Sequence, residues 1–497
     1  MNRTTQSLIA VVVALGAVTG FAAFGGPDGA ADDGAKTAAR QPVERTSLLC
    51  PVPSGSDLAE TSYTAFTPES SGAETKGAAE LLPVSKALTD AAKEEHKKNA
   101  KPFLTQKKPG APVGGEESGA ESPALIGTAT GRFAPGWAVQ QTTTYAAGSG
   151  RGVQGANCTA PDTDFWFPGA STAKDRSDYI HLTNPDDSAA VVDVELFGPN
   201  GEVTSPVGDS IQVQPHSSVP VLLSTLAEKA YPNLTMHVIV RSGRVSAAVQ
   251  SSDEKLGGDW LPAATDPADS LVLPGIPKDA TSVRLVAFAP GSDDADVKIQ
   301  LVSATGTITP AGHESLHVKS GMTAAADLGD VTKGEAGSLL LTPTDTSVPV
   351  VAALSVTRGK GDKQETAFIP ATSAVGTRAT AADNRAKGST LSLVAPGRSG
   401  KVKVTASAGT EGGSPATKTY TVKGGTTLEI KDPPVPSGLK GVYALTVEQV
   451  SGGDVYGSRM LELPEDGIPM FTVQTLPDDR GSVAVPAAER DLTVLQK

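Results

Sequence analysis

Short runs in which apolar residues alternate with polar ones recur along most of the chain. In Val192-Asp193-Val194-Glu195-Leu196 the three apolar side chains fall on one face of a strand and the two carboxylates on the other. Turn-forming clusters bound these runs: Asn184-Pro185-Asp186, Pro199-Asn200-Gly201, Ala304-Thr305-Gly306 and Gly424-Gly425. The pattern predicts an all-β body. The exception is the N-terminus, where Leu8 to Phe24 is an uncharged, largely apolar stretch that predicts a helix.

The runs repeat in a fixed order. Phe165-Trp166-Phe167-Pro168 opens one copy, Tyr179 to Pro185 follows, then Val192 to Phe197 and Ile211 to Gln214. Ser270 to Pro274, Val283 to Pro290, Val297 to Val302 and Leu316 to Lys319 repeat that order. Pro168 to Pro274 is a step of 106 residues and Pro185 to Pro290 one of 105. A third copy starts at Leu391-Ser392-Leu393-Val394-Ala395-Pro396, and a degenerate one opens with Ser47-Leu48-Leu49-Cys50-Pro51. About one hundred residues with six or seven short strands suits an immunoglobulin-like β-sandwich. Propeller blades, at ~40–50 residues, would need two per copy.

The expected organisation is therefore about four tandem sandwich units: a signal peptide or signal anchor over 1–26, a disordered tether over 27–43, and β units over 44–160, 161–266, 267–372 and 390–470. A linker over 373–389 and a tail over 471–497 complete it. Residues 70–123, rich in Gly, Glu, Ser, Ala and Pro around Lys86, Lys93, Lys97, Lys98, Lys101, Lys107 and Lys108, read as a disordered insertion in the first unit. Such units in series would form an elongated array.

The N-terminal stretch lies between the ~7–15 apolar residues of a cleaved signal and the ~17–25 of a spanning helix, so both readings stay open. Arg3 precedes it and Asp28, Asp32 and Asp33 follow, which directs the body outward. The expected location is extracytoplasmic, secreted or membrane-anchored.

Composition narrows the class. With 42 Lys+Arg against 55 Asp+Glu, the net charge of −13 argues against nucleic-acid binding. The 53 Gly and 37 Pro, 90 of 497 residues, stay below the ~25–30% of low-complexity chains. Aromatics at 4% suit several small cores.

Two cysteines remain to be placed. Cys50 takes the position of Phe167 and Leu273 at the end of the opening strand, and Cys158 stands where the first unit closes. In an oxidising compartment the pair reads as a disulfide joining first strand to last.

Candidate chemistry is sparse. His313-Glu314-Ser315-Leu316-His317 matches the H-E-x-x-H pattern, which binds zinc only on a helix. On a strand the two His would lie ~13 Å apart. Asp186-Asp187 and Asp293-Asp294-Asp296 fall in equivalent turns without the ligand pattern of a calcium loop. Pro396 to Lys401 lacks the glycine spacing of a phosphate loop. No metal or cofactor is expected. Phe165, Trp166 and Trp260 are the candidate binding residues, read either as a stacking platform for sugar or partner, or as strand core.

Phe165-Trp166-Phe167-Pro168-Gly169-Ala170-Ser171-Thr172, with Tyr179-Ile180-His181-Leu182-Thr183-Asn184-Pro185, resembles the aromatic–Gly–Ser–Thr and Leu–x–Asn–Pro signature of secreted bacterial β modules. The chain resembles an actinobacterial secreted or membrane-anchored family, domain of unknown function 5719. The resemblance implies an extracytoplasmic protein with no known catalytic residues. Two functions from different classes follow as expectations. One is a non-enzymatic envelope scaffold or binding protein for cell-wall glycan or a protein partner, held to the membrane by its N-terminal helix if that is uncleaved. The other is an extracellular metal-dependent hydrolase using His313 and His317 or the turn carboxylates.

Overall fold

The computed structural model describes residues 39–70, 76–84, 101–205 and 207–485. The stretch Leu8 to Phe24 expected to be a helix, most of the expected tether, Lys86, Lys93, Lys97, Lys98 and the end of the tail lie outside the described residues. The chain divides into two compact units, one of residues 42–483 and one of 1–41 with 484–497. In a two-stranded sheet, Ala39–Pro42 pairs with Ser482–Val485.

The described chain is all-β, its only helical elements two short 3-10 turns, Gly131–Phe133 and Leu223–Thr225. Within 42–483, eight sheets form four two-sheet modules, here numbered in chain order over 45–157, 164–261, 271–370 and 378–475. Alternation explains the strands. Along Ala295–Ser303, Ala295, Val297, Ile299 and Leu301 point inward while Asp296 and Lys298 are exposed. In the third module Leu273, Leu339 and Leu341 of one sheet meet Leu285, Leu354 and Ile369 of the other. Each such side chain, fully buried, contributes roughly 1.5–3 kcal/mol relative to exposure.

All four modules share one strand order once the additional edge strands Ile211–Val213, Ser315–Val318, Ala416–Val422 and Ser437–Lys440 are set aside, and the remaining eight strands of each module are numbered here in chain order. The first strand pairs with the sixth, the sixth with the third and the third with the fourth; the other sheet runs fifth, second, seventh, eighth. Neighbours in a sheet are therefore mostly not neighbours in sequence, which excludes successive meander blades of a propeller.

Three expectations need correction. The segment 70–123 contains strands Ala79–Pro83, Leu104–Thr105 and Val113–Ser118, all paired within the first module. Its Gly-Gly-Glu-Glu composition concealed a strand whose partner Ala59–Phe66 supplies most of the apolar surface. Residues 373–389 are no linker, because Arg378–Asn384 is the first strand of module four; Leu391 to Ala395 belongs to its second strand, Ser389–Ala395. Phe471–Thr475, expected in the tail, is the eighth strand.

The modules do not form an elongated array either. Their eighth strands are Gly152–Asn157, Gly257–Leu261, Lys363–Pro370 and Phe471–Thr475. The second packs against the first and third, and the fourth against the third and first. The four modules thus close into a ring about these strands. Outside the centre, Asp164–Ala170 of module two lies on Ala280–Phe288 and Val351–Lys360 of module three. Leu271–Ile276 of module three lies on Ser389–Ala395 and Tyr456–Glu462 of module four. Arg378–Asn384 of module four lies on Ala59–Phe66 and Ala138–Tyr145 of module one. Modules one and two meet through the side chains of Thr159 and Ser246, 2.9 Å apart, and a hydrogen bond from Gln250 Nε2 to the Pro53 carbonyl.

Candidate functional site

The centre of the ring is polar and closed. Asp259, in the eighth strand of module two, is fully buried and accepts from the Gly155 N–H of module one at 3.0 Å and from its neighbour Trp260 at 2.8 Å. Thr472 of module four donates to the same carboxylate at 3.0 Å, and Gln474 Nε2 donates to Thr472 Oγ1. Glu365 of module three completes the set and is likewise buried. Backbone conformation makes room for these groups. Gly152 has φ +128°, and a Cβ there would collide with Glu365 Oε1; a Cβ on Gly155 would collide with Gln474 Nε2.

Burial sets the protonation of this centre. It raises the Asp259 carboxyl well above its ordinary range, against the pull of its hydrogen bonds. It raises Glu365 to about 9, with the negative charge of Asp259 adding to the shift and the Arg151 guanidinium opposing it. Glu365 is therefore protonated at pH 7. Arg459, also fully buried, is lowered to about 10 by the same desolvation, which Asp383 opposes. Buried His181, edge-on to Trp260 at 5.3 Å, is lowered to about 4. Shielded from solvent, this centre joins strands of modules one, two and four through the bonds to Asp259 and offers no surface to a ligand.

An open site lies where module four meets module one. Thr142 Oγ1 donates to Asp383 Oδ2 at 2.8 Å, and the Asp383 N–H donates to Gln140 Oε1 at 2.7 Å. Arg459 Nη2 donates to the same Gln140 oxygen at 2.9 Å, and Arg385 pairs with Asp383. Beside these bonds opens a cleft of ≈ 500 Å³, lined among others by Glu60, Ser62, Glu116, Ser118, Thr144 and Arg385. Strand register explains the lining. Glu60 stands opposite Ser118 and Thr144, and Ser62 opposite Glu116 and Thr142, so the six share the outer face of one sheet. Glu60, Glu116 and Glu117 form no ion pair among the described residues.

The residues singled out from sequence lie elsewhere. Phe165 is in the core of module two. Trp166 is 8% exposed, stacked on His237 with ring centroids 3.6 Å apart and facing Phe288 of module three at 5.5 Å. Trp260 is 2% exposed. No ring face among the three is open for stacking on a sugar, because sheet packing covers each. Cys50 and Cys158 are disulfide-bonded, with Cα atoms 4.4 Å apart, tying the first strand of module one to the residue after its eighth.

Residues 315–318 form a strand, and His317 faces Asp296 at 2.9 Å and Asp294 at 3.6 Å, away from the helical geometry zinc would require. Asp186 pairs with Arg244 and Asp187 with His216. Among the described residues no group of three or more His, Cys, Asp or Glu is placed to hold a metal ion, and no helix is long and apolar enough to cross a membrane.

Sequence reasoning missed the cleft because two of its three glutamates, Glu116 and Glu117, sit in the stretch read as an insertion. The alternation of Glu60 and Ser62 with Thr61 and Tyr63 was the available signal.

A model describing a family of unknown function, DUF5719, matches residues 113–433, from the fifth strand of module one into module four. No curated protein matches the chain.

Proposed function

Because the chain belongs to the DUF5719 family, whose function is unknown, we propose its role from the molecule's own geometry. It is an extracytoplasmic protein of the cell envelope that acts by binding, not catalysis. It holds a cell-wall glycan or an envelope protein in the cleft between modules four and one. The observation that carries this reading is the unequal filling of the ring. Two seams are packed with apolar side chains, whereas this one opens into a cleft of ≈ 500 Å³ whose lining includes hydroxyls, Arg385 and glutamates that form no ion pair among the described residues. The location draws support from the Cys50–Cys158 bond, since disulfides persist in oxidising compartments. The apolar stretch Leu8 to Phe24 would serve as signal or membrane anchor.

Each module is read as immunoglobulin-like. Its pairing of second strand with fifth and third with sixth is that of the immunoglobulin sandwich. It departs from that sandwich where the first strand pairs with the sixth and the second with the seventh.

A photo-crosslinker at exposed Ser118, compared with one at exposed Glu335 of module three, tests the binding role in envelope preparations. Adducts specific to Ser118 are expected. Equal labelling from both positions, or release of soluble fragments from the envelope polymer, would overturn it.

A further inference from the structure

The fifth strand forms one edge of the second sheet in every module, and the four edges are treated differently. Ser217–Leu222 carries Pro220, which has no N–H to offer a neighbouring strand. Thr323–Gly329 carries Asp327, held in a two-bond ion pair by Arg284 at 2.8 and 2.6 Å. Thr426–Ile430 is occupied by module three, where Thr427 Oγ1 donates to the Val302 carbonyl at 2.6 Å.

Val113–Ser118 has none of these devices. Among the described residues its backbone ladder runs only to Ala59–Phe66, on the other side. It contains no proline, and Gly114 is exposed. A glycine at a strand edge permits close approach of another backbone. This same strand supplies Glu116 and Ser118 to the cleft.

We propose that the free edge of Val113–Ser118 and the adjoining cleft together bind an extended basic peptide by strand addition. The main chain of the peptide continues the sheet. Side chains at alternate positions project to one face, as they do along any strand, and there reach Glu60 and Glu116, diagonal neighbours across the register. Charge complementarity fixes the sign of the partner, because the three glutamates have no cation of their own among the described residues. The lining favours peptide over sugar, since it includes no aromatic ring on which a pyranose could stack. The inference rests on the binding role proposed above and narrows its partner to one class.

The test titrates the intact 497-residue chain, disulfide formed, with four labelled probes. They are an alternating Lys–Thr hexapeptide, the same peptide N-methylated at alternate residues, a Glu–Thr hexapeptide and a glucosamine tetramer. Fluorescence anisotropy reads the binding. Only the unmodified Lys–Thr peptide is expected to bind, and the Glu60→Gln/Glu116→Gln variant weakens it about tenfold or more. A Glu60→Lys/Glu116→Lys variant shifts preference to the Glu–Thr peptide. Equal binding of the methylated peptide, indifference to the Gln pair, or preference for the glucosamine tetramer would each refute strand addition of a basic peptide. Specific Ser118 adducts in envelope without Lys–Thr binding would refute it too, while leaving the broader binding role in place.

Discussion

Two seams of the ring solve the same packing problem in opposite ways. Between modules two and three, Trp166 is clasped by His237 and Phe288, with Phe197 4.6 Å from Phe288 and Val351 closing the cluster. Between modules four and one the apolar contact shrinks to Phe66, Ala138, Ala382 and Ala444. Polar bonds through Asp383, Gln140, Thr142 and Arg459 take over. Arg378 adds bonds to the Pro135 carbonyl at 3.0 Å and Ser70 at 3.1 Å.

Sequence distance does not account for the contrast. The bond from Thr323 to Phe197 spans 126 residues and that from Thr142 to Asp383 spans 241. Doubling a closed loop costs only ~0.6 kcal/mol more. The difference lies in the kind of complementarity. Apolar area is non-directional and tolerates adjustment, while a buried carboxylate must meet each of its donors in one register. A seam held by directional bonds between small residues can close the ring and still leave a gap at its margin.

The largest effect is expected at the apolar seam. Trp166→Ala removes a side chain packed on both faces and should cost about 3–5 kcal/mol of unfolding free energy. Trp166→Phe should keep most of that stability. Denaturant unfolding measures both; a loss below about 1 kcal/mol for the alanine variant would mean the seam adds little beyond its neighbours. At the polar seam, Thr142→Val keeps shape and leaves Asp383 Oδ2 without this donor, for an expected cost of about 1–3 kcal/mol. Equal stability of Thr142→Val and the parent would show that Asp383 Oδ2 does not depend on this donor.

The same contrast predicts pH behaviour. The Trp166 cluster has no buried acid, whereas the ring centre holds Glu365 with its pKa raised from 4.5 to about 9. The folded state then binds a proton that the unfolded state has released. Stability due to Glu365 is complete below pH 4.5, falls as pH rises towards 9 and is flat above, at up to about 1.4 kcal/mol per pH unit. His181, lowered from 6.5 to about 4, acts oppositely and loses stability as pH falls through that interval. The Glu365 slope should therefore be seen most clearly between pH 6.5 and 9. Asp259, also raised, adds in the same direction. Glu365→Gln should remove its share of the slope and leave Trp166→Ala additive with it; a flat parent curve from pH 6.5 to 9 would sink the account.

How far this was readable from sequence follows from the same chemistry. Alternation in Val192 to Leu196 and the 105–106 residue spacing carry the strands and the repeat, because burying one face of a sheet imposes period two. Cys50 and Cys158 were paired through the repeat positions, and the structure joins them. Ring closure left no local mark. It depends on contacts such as Asn157 to Thr475, 318 residues apart, which no periodicity reports. Nothing in the local sequence marks Asp259 and Glu365, because burial of an eighth strand on both faces comes from the other modules. Trp166 misled in the opposite sense: an aromatic cluster fits a binding platform or an inter-module contact equally well until its neighbours are known.

The smallest effect sharpens the comparison most, because it separates holding the ring from using its gap. Glu60 and Glu116 are exposed, unpaired among the described residues and outside the bonded set of Asp383, Gln140 and Arg459. Removing their charges should leave unfolding free energy within about 0.5 kcal/mol of the parent, as for surface substitutions without a structural partner. The Glu60→Gln/Glu116→Gln chain should then unfold at the parent's denaturant midpoint, and its pH slope between 6.5 and 9 should match the parent's. A destabilisation as large as that of Thr142→Val would mean the cleft acids brace the closing seam, and their loss of partner binding could then be structural. Unchanged stability assigns them to the gap alone, which is the condition under which a change in peptide affinity reports recognition.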